Sequence, residues 1–305
     1  MKDIKKGFHM TIVAAAGFGS TGIFAQLANH HGTDFVTLLA VRFSLAGLLF
    51  LVACRFVSSR WDLTTKQLFT LIGLGFTGYA VFTSLYFYGV SLIPASLAAF
   101  ILAGYPLIVF LMTWILGDES MDPSKMLSLL LSTAGLFLVL GPAFIDVEWR
   151  GVVAVLLAAT MYSVYVVFSN RILQQVHWIH GSTVVTLSSA AFFLLGGWVT
   201  GELTWPAHRS VWVYGTALAV CATFIAIGGF NLGLSIIGAS RAAIVNTLEP
   251  FVTAILASFL FDEQLTLAQL LGGILITISI ILLQNTRDGR DPFLKIPSHH
   301  KQIRY

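Results

Sequence analysis

Glu249 and Arg42 each stand inside a long apolar run that carries almost no other charge. An ionisable group at such a position is costly, and it marks either a solute pathway or a paired structural charge. The Glu249 carboxylate could contact a substrate amine or accept a proton, or it could be a structural group paired with Arg42. Arg42 could pair in the same way, or snorkel toward an interface. Asn246 lies three residues before Glu249, on the same helical face. With Thr247 it makes this stretch unusually polar. Pro250 follows Glu249 and removes a backbone donor, which frees carbonyls nearby. Tyr105 is likewise followed by a proline, Pro106. Asn246, Glu249 and Tyr105 are the candidate lining of a central cavity, with Ser20, Ser163 and Tyr162 as further candidates. Serines in such runs also bond to their own helix backbone. Tyr79, Tyr86, Tyr88 and Trp198 could stack on an aromatic solute or serve as packing and interface residues.

Other motifs carry less. Gly17-Phe18-Gly19-Ser20-Thr21-Gly22 matches a dinucleotide fingerprint, but it lies inside an apolar run and not after a strand. Close helix packing is the better account of it, and of Gly229 and Gly233. His177 with His180, and His30 with His31, lack the further ligands a metal would need. Cys54 and Cys221 fall in apolar stretches and are expected as buried thiols. There is no P-loop, no His-Glu-x-x-His and no Gly-x-Ser-x-Gly, so neither ATP hydrolysis nor an intramembrane enzyme is expected. No cofactor or metal is expected either.

The elements that hold these residues follow from composition. Of 305 residues 57% are hydrophobic and 10% charged, and the mean hydropathy is +0.86. Soluble domains carry about a quarter charged residues. The chain therefore belongs in a lipid bilayer, and a net charge of +3 gives no case for nucleic acid. A spanning helix needs about 20 apolar residues. Ten such segments are expected, near 8–28, 35–57, 67–90, 94–116, 124–142, 151–173, 178–201, 209–234, 238–261 and 265–285. The first follows Lys2, Lys5 and Lys6, but it is too long for a signal sequence and is expected to be retained.

Basic residues set the direction. With the N-terminus inside, 14 of the 17 lysines and arginines fall on the inner side, Arg150 and Arg209 fall outside, and Arg42 lies within a span. Both termini are then cytoplasmic, and residues 286–305 form a basic cytoplasmic tail that could touch anionic lipid.

An internal repeat is visible. The segment from Ser91 aligns without a gap to the segment from Ser235, at an offset of 144. Matched pairs include Ile93 with Ile237, Ala98 with Ala242, Pro106 with Pro250, Asp118 with Asp262 and Glu119 with Glu263. Tyr105 is then the counterpart of Glu249, and Ser20 pairs with Ser163 at an offset of 143. Residues 1–145 and 146–285 form two five-helix halves, and an odd number of spans inverts one relative to the other. Inverted repeats are the usual frame for alternating access around a midplane site. The expected fold is thus an all-α membrane protein of ten helices in two inverted five-helix repeats.

The five-plus-five arrangement, with spans four and nine ending in Asp-Glu, resembles the drug/metabolite transporter superfamily and most closely its EamA-like family. The stretches that carry the resemblance begin at Val41, at Ile93 and at Gly238, the last continuing into Phe261-Asp262-Glu263. It covers about residues 8 to 285. The resemblance implies a secondary transporter in a cell membrane, most plausibly a bacterial inner membrane. It also implies export of a small metabolite, such as an amino acid, more than uptake. Substrate identity, coupling to protons or facilitated passage, and oligomeric state stay open. An intramembrane enzyme or a structural or sensory membrane protein is the alternative.

Overall fold

The computed structural model describes residues 2–30, 34–57, 61–93, 98, 101–119, 122–140, 148–204, 209–260 and 266–285. Among them all regular structure is helical. In chain order the helices are α1 (Lys2–His30), α2 (Phe35–Val57), α3 (Thr65–Leu92), α4 (Tyr105–Ile115), α5 (Pro123–Leu140), α6 (Trp149–Leu173), α7 (Trp178–Thr200), α8 (Arg209–Ile237), α9 (Ala239–Leu260) and α10 (Leu267–Asn285). Eight of these are long and apolar enough to cross a membrane, while α4 and α5 contribute shorter apolar helices. Within the expected fourth span Ala98, Ile101 and Leu102 are helical, a turn at Ala103 and Gly104 precedes Tyr105, and Pro106 sits in the first turn of α4. A proline there has no N–H to give to the preceding turn, so the helix restarts instead of continuing. Pro94, the Asp262-Glu263 pair and the tail beyond 285 lie outside the described residues.

Two local interruptions recur. A π-helical segment, Leu74–Ala80, lies within α3, and a second, Leu218–Ile225, lies within α8. The turn at residues 103 and 104 has its counterpart at 247 and 248, which splits α9 into α9a (Ala239–Asn246) and α9b (Glu249–Leu260). Each interruption returns 144 residues later. The packing shows the same pattern. α1 lies on α8 as α6 lies on α3, α4 meets α6 as α9 meets α1, α2 meets α7, and α5 meets α10. The dominant contacts therefore run between the halves, and one apolar core draws on both.

Burial is distributed as a bilayer requires. Ser163, Ser182, Thr183 and Thr186 are fully buried, while Trp198, Val199 and Phe259 are largely exposed. A soluble protein places such groups the other way round. Most of the buried hydroxyls satisfy themselves on the preceding turn, as Thr83 does on Tyr79 O at 2.8 Å and Thr183 on Ile179 O at 2.7 Å.

Candidate functional site

The break in α9 builds the centre of the site. Pro250 cannot donate to Asn246 O and its ring crowds that carbonyl, so α9a ends at Asn246. Two tight turns bridge the gap, with Thr247 N donating to Ile244 O and Leu248 N to Val245 O, both at 3.2 Å. α9b then restarts at Glu249. The same chemistry at Pro106 makes Tyr105 the first residue of α4. Glu249 and Tyr105 thus stand at the N-termini of two half-helices, at equivalent places in the two halves.

The side chains converge there. Asn246 Nδ2 donates to Glu249 Oε2 at 3.0 Å, and the Asn246 amide also lies beside the Tyr105 hydroxyl. That hydroxyl donates to Ala243 O at 3.3 Å, across to α9a. The Tyr105 ring meets Tyr162 edge-on at 4.8 Å. Tyr162 in turn packs on Phe82 at 4.7 Å and stacks on Tyr165 at 5.9 Å, and Tyr79 closes the group against Tyr165 at 5.2 Å. Glu249 is partly accessible whereas Asn246, Tyr105 and Tyr162 are buried. The carboxylate therefore stands at the break in α9, beside a wall of tyrosines.

Arg42 is buried too, and its guanidinium is taken up by α8. Its Nε donates to Thr223 Oγ1 at 2.8 Å and its Nη2 to Ala222 O at 3.1 Å, both in the π-segment of α8. The wider π-turn explains the site. Thr223 Oγ1 reaches Leu218 O, five residues back, and the Ala222 carbonyl is left for Arg42. The guanidinium also lies 5.1 Å from the Phe43 ring centre. It is near enough to feel the Glu249 charge, but it forms no ion pair with that carboxylate.

Ser20 and Ser163 are engaged by backbone. Ser20 Oγ donates to Gly17 O at 2.6 Å, while Ser163 Oγ reaches Ala159 O at 2.7 Å and Tyr105 O at 3.2 Å. Ser163 thereby ties α6 to the start of α4. The glycines of α1 allow close approach. A Cβ on Gly17 would fall 2.6 Å from Cys221 O, and one on Gly19 would fall 2.9 Å from Glu249 O. The fingerprint-like motif is therefore helix packing against α8 and α9b. Gly229 and Gly233 play the same part against Met10 O and Gly7 O of α1. A groove of about 520 Å³ between α2, α7 and α8 includes Thr37, Leu45, Leu194 and Trp212, away from Glu249. Among the described residues no group of three or more His, Cys, Asp or Glu is gathered as a metal would need. His180 instead stacks on Trp61 at 4.7 Å.

The sequence profile of the EamA-like transporter family matches this chain twice, over residues 5–141 and 149–284. The chain belongs to the EamA-like transporter family. Among its relatives is an uncharacterized transporter of Synechocystis sp., sll1319, which is 27% identical over 82% of this chain and 79% of its own. Another is the uncharacterized transporter YcbK of Bacillus subtilis, 26% identical over 95% of this chain and 97% of its own. A solved crystal structure superposes with a TM-score of 0.77 at 20% identity, covering 91% of this chain and 96% of that one. The last likeness concerns the fold alone.

In this EamA-like chain, sequence reasoning missed the acceptors of Arg42. Thr223 and Ala222 O become partners only through the π-turn, which leaves no simple residue signature. It also missed Arg171, whose guanidinium grips Asp118 with Nε at 2.8 Å and Nη2 at 3.0 Å. Asp118 was visible as the end of a repeat, but its partner lies 53 residues away.

Proposed function

We propose that this EamA-like protein is a secondary transporter that exports a small amine-bearing metabolite, such as an amino acid, by alternating access. Ten spans form two inverted five-helix repeats, residues 1–145 and 146–285, which rock about a centre made by Glu249, Asn246, Tyr105 and Tyr162. The observation that carries this reading is the state of Glu249. One carboxylate oxygen is held by Asn246, no cation among the described residues is paired with it, and it stands at a helix break beside the tyrosine cluster. A preorganised carboxylate beside aromatic faces suits an ammonium group. The same carboxylate is the natural proton acceptor if export is coupled to a proton gradient.

The repeat reading rests on several observations. The family profile matches each half, the π-segments and helix breaks recur at one offset, and the helix pairs map onto one another. Ser20 and Ser163 act in this scheme as backbone ties, with the central contacts left to the other four residues. Arg42 anchors α2 to the α8 π-turn and adds positive potential near the centre. The lysine and arginine distribution supports cytoplasmic termini and a cytoplasmic tail, and the family supports a bacterial inner membrane as the setting.

The test is flux in proteoliposomes with a panel of labelled amino acids and related amines. Saturable movement of at least one amine-bearing compound is expected. Absence of flux for the whole panel, with and without a pH gradient, would overturn the proposal.

A further inference from the structure

We infer that the Asp118–Arg171 pair and the Glu119–Ser240 contact are a closed cytoplasmic gate over a collapsed hydrophilic passage lined by Tyr165, Ser169, Ser182 and Asn231. The inference deepens the transport reading above and rests on it for the direction of passage.

The clasp draws four elements together at one end of the molecule. α4 ends at Ile115, and the chain turns through Gly117 at φ +73° to present Asp118 and Glu119. Asp118 receives both donors of Arg171, near the end of α6. Such a two-point arginine–carboxylate contact is geometrically demanding and so fixes position as well as charge. Glu119 Oε1 accepts from Ser240 N at the start of α9a at 3.2 Å, and its Oε2 accepts from Lys125 of α5 at 3.0 Å. Ser240 Oγ meets Thr113 Oγ1 of α4 at 2.9 Å. Two adjacent acidic residues of the first half thus hold two helices of the second.

Behind the clasp lie polar groups with too few partners. Asn231 of α8 gives Nδ2 to Ser182 of α7 at 3.0 Å, but its Oδ1 has no partner. The hydroxyls of Tyr165 and Ser169 on α6 lie together beside Asn231 without a well-formed hydrogen bond. Thr186, one turn along α7 from Ser182, is also unsatisfied. All five side chains are at least 97% buried. Unpaired polar groups are costly in a bilayer-spanning interior. Groups wetted in one conformation and covered in another account for this accumulation. Ser169 lies within one turn of Arg171 on α6, and Ser182 and Asn231 lie within two turns of the start of α7 and the end of α8, the ends joined by short links to α6 and α9a.

The two ends of the broken helix differ in the same sense. Every residue of α9a, on the clasp side, is buried, and no residue of α9b is. In the repeat, the positions equivalent to Lys125 and Arg171 are Gln269 and Ala28. The clasp sits on the side the basic residues assign to the cytoplasm.

The test is thiol accessibility, which needs no substrate. In full-length protein with Cys54→Ser and Cys221→Ser, Ser169→Cys is reacted with a membrane-impermeant maleimide in inside-out and right-side-out vesicles. Reaction is expected to be slow at first. Asp118→Asn should speed it about fivefold from the cytoplasmic side alone, the shift that losing one half-exposed ion pair allows. Arg171→Gln, which breaks the same pair from its other partner, should do likewise. Ser279→Cys, buried between α10 and α5 where its hydroxyl donates to Ser128 O, should stay slow in each background. Unchanged rates in both variants, acceleration from the outer side, or equal acceleration at Ser279→Cys would overturn the gate. A failed flux panel with the accessibility change intact would refute the transport reading and leave the gate standing.

Discussion

Replacing Glu249 by Gln separates the binding role proposed for this residue from any structural one. The amide oxygen of Gln can still accept from Asn246 Nδ2, so the 3.0 Å contact survives in neutral form. A charge-assisted hydrogen bond is roughly twice as strong as a neutral one, which puts the loss near 1 kcal/mol. Removing a carboxylate from a largely apolar site offsets part of that. Thermal stability should therefore change by no more than about 1 kcal/mol. The substrate side is different. An ammonium bonded to a carboxylate contributes about 1.5–3 kcal/mol, a factor of roughly ten to 150 in affinity. The expected result for Glu249→Gln is thus a folded protein whose apparent substrate affinity in proteoliposome efflux falls at least tenfold. If Glu249 also carries the coupled proton, the pH dependence of flux should flatten with it. An unchanged affinity and pH profile would remove Glu249 from the mechanism. A large loss of stability, repaired by adding Arg42→Met, would instead make it the structural counter-charge of Arg42, and the double-mutant cycle measures that coupling directly.

Three further outcomes are expected. Thr223→Val leaves the Arg42 Nε without its 2.8 Å acceptor, and should cost about 1.5–3 kcal/mol in detergent melting, because a buried charged donor is orphaned. A stability equal to wild type would show that Arg42 is held by other means. Gly19→Val places a Cβ only 2.9 Å from Glu249 O, so α1 and α9b must separate at a cost of about 1–3 kcal/mol. Flux should fall with stability, and unimpaired transport would refute the close packing of these helices. A protease site fused after Tyr305 should be cut only in inside-out vesicles, and cleavage from outside would overturn the charge-based orientation.

Much of the fold was legible because bilayer helices advertise themselves by length and apolarity. The repeat was legible because Pro106 and Pro250 have no apolar substitute with the same backbone effect. Where the sequence and the structure part, the reason is local geometry. The π-segments at Leu74–Ala80 and Leu218–Ile225 are built from residues that an ordinary helix would also accept, and no composition rule marks them. Arg42 was therefore visible as a buried charge while Thr223 and Ala222 O were not visible as its acceptors. The pairing of Glu249 with Asn246 was legible, since three residues along one face must meet. The engagement of Ser163 with Tyr105 O was not, since it depends on where α4 restarts after its break.

The two interruptions give the centre its chemistry and its freedom together. Continuous helices would satisfy their own backbone and leave Glu249 and Tyr105 as side chains on a rigid rod. The prolines instead turn each into the first residue of a half-helix, where unpaired N–H groups and the positive end of the helix dipole favour a negative group. The breaks also let α9a and α9b keep different company. α9a is enclosed and tied through Ser240 to Glu119, whereas α9b rests on α1 through Gly19 and Thr253, whose Oγ1 donates to Gly19 O at 2.9 Å. A rocking motion that releases the first set of contacts need not disturb the second. The residue at the joint between them is Glu249, so in this geometry the group proposed to hold the substrate is also the one that any change in the angle of the break must move.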